Sequence, residues 1–175
     1  MIHQGTAGFM AAEVAEGRYK FVPHRGAKKA FYFNPLHDLE SVWWLLVWSL
    51  FQHIPEECHD PEVIMQQTEA KRRLCFDIFT RTNCLMDQTA FFDIVESTLH
   101  SDLRSLALKV DDLLVLLRQN YQSAERVIPI PKTAFDTVHK EVLGIKDELV
   151  KSAESLGSGE VDLVDGITDQ HEVES

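Results

Sequence analysis

Two His-Asp pairs are the first residues in this sequence that could carry chemistry. His37-Asp38 and His59-Asp60 each place an imidazole beside a carboxylate, a combination that can hold a divalent metal ion and activate water for phosphate hydrolysis. No second spaced histidine accompanies His37-Asp38, and a chain with eight histidines produces such pairs by chance. A metal-dependent phosphohydrolase is therefore a remote hypothesis, which ranks behind two others that rest on different residues.

Histidine and cysteine also occur close together in residues 53–59, shortly after the three tryptophans at positions 43, 44 and 48. His53, Cys58 and His59 could be zinc ligands in a loop, but they lack a clear fourth ligand. The three cysteines, which include Cys75 and Cys84, form no Cys-x-x-Cys pair, and their number is odd. This favours free, reduced thiols in an intracellular protein, cytoplasmic or nuclear. Core or loop packing is their ordinary role, and the sequence alone leaves a Cys–His nucleophile pair open.

The element that must position His37 and Asp38 is a helix that is apolar nearly all round. From His37 it reads HDLESVWWLLVWSLF, directly after the turn signal Asn34-Pro35. A helix without a polar face is expected to be surrounded by other elements. An acid in its first turn can cap free backbone N–H groups, but a charge at the head of a buried helix is costly unless it is paired.

Four further helices are predicted from apolar residues at three-four spacing, over 61–82, 88–100, 102–121 and 132–150. Their predicted inward residues are Ile64, Leu74, Cys75, Ile78 and Phe79; Phe91, Phe92, Val95 and Leu99; Leu103, Leu106, Val110, Leu113, Leu114, Leu117 and Tyr121; and Phe135, Val138, Val142, Ile145 and Leu149. No long segment alternates as a strand does, so the fold class is all-α.

Charge is distributed unevenly along the chain. Residues 18–29 carry five bases and no acid, whereas residues 151–175 carry seven acids and one base and are expected to be a disordered acidic tail. The net charge of −11 argues against a nucleic-acid partner bound through its phosphates. The longest apolar run is too short to span a membrane, and no signal peptide is evident, so no membrane partner is expected.

Two stretches resemble one protein family. Residues 5–14 read GTAGFMAAEV, which is similar to the end of the activation segment of protein kinases, Gly-Thr-x-x-Tyr-Met-Ala-Pro-Glu-Val. Residues 34–41 read NPLHDLES and run into the tryptophan helix, which resembles the central helix of the kinase C-terminal lobe in fungal-type protein kinases. The two stretches stand in the family's order, and the clear resemblance covers residues 5 to 52.

The resemblance implies roles for particular residues. Residues 5–10 match the loop that positions the acceptor peptide, and Thr6 matches the threonine that contacts the catalytic loop. Glu13 matches the glutamate that pairs with a later arginine, for which Arg104, Arg118 and Arg126 are the candidates. Asp38 matches the aspartate whose carboxylate accepts backbone N–H groups of the catalytic loop. The residues of the peptide-positioning loop are Gly5, Thr6, Ala7, Gly8, Phe9 and Met10.

The 175 residues depart from the family in several places. Ala12 replaces the usual proline, Trp43 stands where many kinases have glycine, and no His-Arg-Asp or Asp-Phe-Gly motif occurs. The expected architecture is a partial kinase-like lobe over 1–150, with the activation-segment end and basic loop over 1–36 and a helical core over 37–150.

The resulting hypothesis is a C-terminal-lobe fragment of a fungal-type serine/threonine kinase without phosphotransfer activity of its own. No catalytic residue, metal or cofactor is assigned, because ATP and Mg²⁺ are implied only for a complete family member. The alternative is a non-catalytic, pseudokinase-like helical interaction module with a protein or peptide partner. The oligomeric state is left open.

Overall fold

Every regular element that the computed structural model describes is helical. It describes residues 7–22, 30–55, 58–128, 130, 135 and 138–156. Within these ranges the α-helices are α1 (Ala12–Glu16), α2 (Pro35–Gln52), α3 (Pro61–Phe76), α4 (Ile78–Met86), α5 (Ala90–Thr98), α6 (Arg104–Ala124) and α7 (Val138–Leu156). Short 3-10 helices occupy Ala7–Phe9 and Ser101–Leu103. The all-α prediction is confirmed for the described residues.

Helix α2 is the element around which the others assemble. Asn34 caps it by accepting the Leu36 N–H, and Pro35 occupies its first position, where a missing N–H is harmless. One face packs against α3 and α6. The buried apolar residues of that face are Leu36, Trp43, Trp44, Val47, Leu50 and Phe51.

The expectation that α2 is enclosed on all sides is wrong. Val42 is 46% exposed, Leu45 44% and Trp48 38%, and these three residues follow one another at three-residue spacing along one side of the helix. The side chains are apolar and stay partly exposed, although Phe9 of the Ala7–Phe9 3-10 helix contacts Trp48. Composition alone therefore overestimates how deeply this helix is buried.

The predicted helix over 61–82 is broken at Asp77. The Asp77 carboxylate accepts the backbone N–H groups of Phe79 and Thr80, so it caps a new helix instead of continuing the old one. The break turns the next two residues outward: Ile78 is 39% exposed and Phe79 78%. The prediction that both point inward is therefore wrong.

The three-four pattern of α6 is a reliable guide to the core. The predicted inward residues Val110, Leu113, Leu114, Leu117 and Tyr121 are all buried. In α5, Phe91 and Val95 are buried as predicted, with Leu99 just beyond its end, whereas Phe92 is exposed.

Helix α7 extends past its predicted end at residue 150. It continues to Leu156, six residues into the segment assigned to the tail, because residues 151–156 read KSAESL and contain good helix formers with no glycine or proline. The acidic residues from 157 onward lie outside the described ranges. None of the helices within those ranges is both long enough and apolar enough to cross a membrane.

We predict that Trp44→Ala destabilises the protein far more than Trp48→Ala. Trp44 is fully buried, so its truncation should lower the free energy of unfolding by about 3–5 kcal/mol. Trp48 is partly exposed and should cost less than half as much. Urea melts of both variants provide the comparison, and equal losses would mean that the exposed side of α2 is covered in solution.

Candidate functional site

The carboxylate of Glu40 is the centre of a buried polar network. Its Oε1 accepts the Ala12 N–H at 2.7 Å and the indole N–H of Trp44 at 3.0 Å. Its Oε2 accepts the Tyr121 hydroxyl at 2.8 Å. Glu40 has no exposed surface, and three donors from three parts of the chain satisfy the charge of an ionised carboxylate.

His37 connects the start of α2 to Glu13. The His37 Nδ1 accepts the Asn34 N–H at 3.0 Å, so the ring proton belongs on Nε2, which lies 3.0 Å from Oε2 of Glu13 and donates to it. Burial lowers the pKa of His37 to about 4, even though Glu40, Glu125 and Asp38 raise it. The imidazole is therefore a neutral bridge near pH 7.

Glu13 and Glu125 form a buried carboxyl pair. Burial raises the pKa of Glu125 to about 9, and its hydrogen bond to Glu13 and the charge of that group raise it too. Burial also raises the pKa of Glu13 to about 7, against the lowering effect of hydrogen bonds from Glu125 and from the Lys20 N–H. With its pKa raised to about 9, Glu125 is protonated at neutral pH.

These acids hold down residues 11–22, which we call the strap. Besides Ala12 on Glu40, the Lys20 N–H donates to Oε1 of Glu13 at 2.6 Å and the Phe21 N–H to Oε2 of Glu125 at 2.8 Å. The Phe21 ring stacks on Tyr121 with centroids 5.8 Å apart. The strap turns at Gly17, whose φ of 64° is readily adopted by glycine.

Arg81 attaches the beginning of the strap from the side of α4. Its guanidinium donates to the Met10 carbonyl and lies over the Trp44 ring, 4.4 Å from the ring centroid. Thr82 adds a hydrogen bond to Glu16 at 3.1 Å. A buried cation thus lies over the ring of the same tryptophan whose indole N–H binds Glu40.

The proposed peptide-positioning loop is described from Ala7 onward, while Gly5 and Thr6 lie outside the described ranges. Phe9 meets Trp48 edge to face, with centroids 6.2 Å apart. Gly8 lies so close to α3 that a Cβ on it would approach Phe76 Cε1 to 3.2 Å. This segment therefore lies across the exposed side of α2 and the end of α3.

The prediction that Glu13 pairs with Arg104, Arg118 or Arg126 is wrong. Arg104 donates to the Glu96 carbonyl, and Arg126 is exposed. Arg118 is buried and donates to three backbone carbonyls at the C-terminal end of α4. Two belong to Cys84 and Leu85 in its last turn, and the third belongs to Asp87, the residue after it. Glu13 instead accepts hydrogen bonds from the His37 Nε2–H and the Lys20 N–H.

Asp38 is exposed, and it accepts no hydrogen bond from any described residue. Its neighbour Glu40, which sequence reasoning passed over, is the acid buried in α2. Helical spacing alone could have distinguished the two acids. Glu40 lies on the side of α2 that carries His37, Trp43 and Trp44, one turn before an indole N–H that needs an acceptor. Asp38 lies on the side that carries Val42.

The other candidate chemistries are not assembled. The His37 ring points into the core while Asp38 faces outward, Asp60 caps α3, and His53 contacts the Ser49 carbonyl. Among the described residues no group of three metal-ligating side chains is placed to hold a metal ion. Burial raises the pKa of Cys75 and raises that of Cys84 to about 12, which makes both thiols unreactive.

Comparison with known proteins gave no match, whether to a protein-family model, a curated protein or a solved structure.

We predict that Glu40→Ala and Asp38→Ala have very different effects, although both remove an acid from α2. Loss of Glu40 leaves three buried donors without an acceptor, and each unpaired donor should lower the free energy of unfolding by about 1–3 kcal/mol. Loss of the exposed Asp38 should change the free energy of unfolding by less than about 1 kcal/mol. Denaturant melts measure both, and a large loss for Asp38→Ala would indicate a partner on its exposed carboxylate.

Proposed function

We propose that this chain is the C-terminal-lobe portion of a fungal-type serine/threonine protein kinase, and that it does not transfer phosphate by itself. The motif order from residue 5 to residue 52 supports this, as does the packing of the glutamate stretch on α2. Ala12 and Glu13 are buried there, and Ala12 is bound directly to Glu40 of the proposed central helix.

The exposed side of α2 is the single observation that carries the proposal. Asp38 heads it, and Val42, Leu45 and Trp48 continue it. An apolar stripe of this kind on a folded domain marks a contact surface. The family resemblance implies that the aspartate at this position holds the catalytic loop, so the uncovered side is where that part of a kinase would pack.

The three buried acids of the network are not placed for phosphotransfer. Glu13, Glu40 and Glu125 are enclosed and are already bound to backbone or side-chain donors. A general base has to reach the hydroxyl of a bound substrate. The sequence also contains no glycine-rich loop followed by a lysine, which would hold ATP in a kinase.

A second candidate function is a non-catalytic interaction module, and the same surface favours it. The stripe continues through the ring of Phe9, which contacts Trp48, to the exposed Phe76 beside Gly8. A surface of that length could accept the apolar side of a partner helix. The two candidates differ in what covers α2: the catalytic part of a kinase or an unrelated partner.

The test of the proposed function is reconstitution. The chain would be mixed with the upstream part of a fungal-type kinase, from its small lobe through Asp-Phe-Gly, and association measured by analytical ultracentrifugation. We expect a one-to-one complex that is weakened at least tenfold by Asp38→Ala and by Leu45→Ser. Absence of a complex, or one indifferent to both changes, would overturn the kinase proposal.

Leu108 provides the matched control for this experiment. It is a leucine on α6 that is 50% exposed, close to the 44% of Leu45, but it lies outside the α2 stripe. Leu108→Ser should leave the complex unchanged. Equal weakening by Leu45→Ser and Leu108→Ser would show that general surface apolarity causes the association.

We also predict that the chain alone has no tight, magnesium-dependent ATP site. The basis is the absence of the Gly-rich loop, of its lysine and of Asp-Phe-Gly from the 175 residues. Isothermal titration with ATP and Mg²⁺ should give no saturable heat at micromolar concentrations of protein. A stoichiometric magnesium-dependent isotherm would contradict the assignment of this chain to the lobe that lacks those motifs.

A further inference from the structure

A groove between α3 and α5 is separate from the buried acid network and from the exposed side of α2. Its volume is about 460 Å³, and the described residues that line it all come from these two helices. On α3, Gln66, Ala70 and Arg73 recur at three- or four-residue spacing and share one face, as Ile94 and Thr98 do on α5. A cavity of this size falls within the range of about 300–1,000 Å³ in which proteins bind small molecules.

Buried polar contacts hold the two helices of the groove in place. The side chain of Gln67 is buried, and its Oε1 accepts the His100 N–H at 3.3 Å, just past the end of α5. Its Nε2 donates to the carbonyls of Phe51 and His53 at the end of α2. The separation of α3 and α5 is therefore fixed by the core, and the groove exists before any ligand binds.

The walls of the groove are mainly apolar. Ala70 is nearly buried, whereas Met65, the first lining residue of α3, is 65% exposed, and Ile94 packs against the core. The hydroxyls of Ser97 and Thr98 each donate to a backbone carbonyl of their own helix at 2.7 Å, so their protons are already used. An alkyl chain along these walls would remove apolar surface from water on both sides of the groove.

Arg73 brings to the groove a cation that forms an ion pair with no described acid. Its side chain is exposed, and its guanidinium donates no hydrogen bond to any described residue. Its charge acts on two acids, Glu69 and Asp77, but both are bound elsewhere. Glu69 accepts two N–H groups of Arg72 at 2.7 and 2.8 Å, and Asp77 caps the start of α4. The guanidinium of Arg73 is therefore available to an anion in the groove.

We propose that this groove binds a small apolar carboxylate of the medium-chain fatty acid class, with its alkyl chain along Met65, Ala70 and Ile94 and its carboxylate on Arg73. A guanidinium presents a planar fork of N–H donors that matches a carboxylate. Eight residues line the groove, whereas a stable protein partner contacts about 20–30 residues on each side, so the size favours a small molecule. None of these residues belongs to α2 or the strap, so the inference does not depend on the kinase proposal.

The net charge of the chain makes the sign of the ligand's charge a sharp test. At −11, the protein as a whole attracts cations and repels anions. A preference for an anionic ligand must therefore come from a local group, and Arg73 is the one cation among the described residues that line the groove. Because Arg73 is exposed, its ion pair should contribute modestly, and the apolar walls should supply most of the affinity.

An NMR titration of the whole chain with sodium decanoate tests the site, followed by the side-chain methyl signals of Met65 and Ile94. With decanoate kept below its micelle-forming concentration, we expect saturable shifts and a Kd of about 1 mM or tighter. Met86 in α4, which is 42% exposed and lies outside the groove, is the reference methyl group and should not shift. Absence of saturable shifts at Met65 and Ile94 would overturn the proposal.

Decylammonium separates the proposed site from general binding of alkyl chains. It has the same chain as decanoate and the opposite charge, so it should bind the groove about threefold more weakly. Non-specific binding to a chain of net charge −11 would give the opposite order. Decylammonium that binds as tightly as decanoate, or more tightly, would overturn the assignment of the carboxylate to Arg73.

Arg73→Gln and Met65→Ser test the two parts of the site. Arg73→Gln should weaken decanoate binding about threefold and abolish its advantage over decylammonium. Met65→Ser should weaken the binding of both ligands, because it removes part of an apolar wall. The matched controls are Arg126→Gln and Met86→Ser, which change exposed residues of the same types outside the groove and should leave both affinities unchanged.

Glu69→Gln should change the affinity in the opposite direction. Glu69 lines the groove, so removal of its negative charge should strengthen decanoate binding, which a loss of packing could not do. Glu69, Arg73 and Met65 are all exposed, so the three variants should fold like the wild type. A Glu69→Gln variant that binds decanoate no more tightly than the wild type, or an Arg73→Gln variant that keeps the wild-type preference, would overturn the proposed site.

Discussion

The structure depends on one enclosed charge, the carboxylate of Glu40. Removing a carboxylate from water is costly, and the protein offsets that cost with three donors that no single element could supply. The strap gives the Ala12 N–H, α2 gives the Trp44 indole and α6 gives the Tyr121 hydroxyl. The strap, α2 and α6 must therefore be packed together in their final positions before this carboxylate can be buried. The neutral His37 and the Glu13–Glu125 pair extend the same network toward the outer half of the strap.

Much of the helical scaffold could be predicted from residue spacing. The stripe of Val110, Leu114 and Leu117 follows the helical period, and a period alone assigns those residues to the core. The break at Asp77 could not be predicted in this way, because the apolar pattern continues through it and only the competition between a capping carboxylate and the helix ends α3. The predicted end of α7 lies too early because the acidic composition of residues 151–175 as a whole hides the helix-forming, uncharged balance of residues 151–156.

The candidate site was harder to predict than the scaffold because its residues are distant in the sequence. Glu13, Glu40 and Glu125 are brought together by the packing of three segments, and no local pattern marks them as partners. The resemblance to the kinase activation segment implied an arginine opposite Glu13. The chain instead places a neutral histidine and a backbone N–H group against this carboxyl. This solution is visible only when all the donors around each oxygen are identified.

The two sides of α2 connect this network with the proposed function. One side is enclosed and holds the strap, and the other presents Asp38, Leu45 and Trp48 to solvent. On the kinase-lobe proposal, the exposed side receives the catalytic part of the protein and the strap places the peptide-positioning segment beside it. The strap's attachment to Glu40 would then set the distance between those two parts. The interaction-module alternative needs the same attachment, because Phe9 reaches Trp48 from the beginning of that segment.

The central claim is that enclosed acids hold the strap, and a carbon-13 NMR titration of the glutamate side-chain carboxyls of Glu13 and Glu125 tests it most directly. Glu125→Gln and Glu13→Gln assign the two signals. We predict one carboxyl that titrates near pH 7 and one near pH 9, both far above the ordinary value of 4.5. If both signals instead titrated between about pH 4 and 5, as for glutamates in water, the two acids would not be enclosed and the strap would be held in another way.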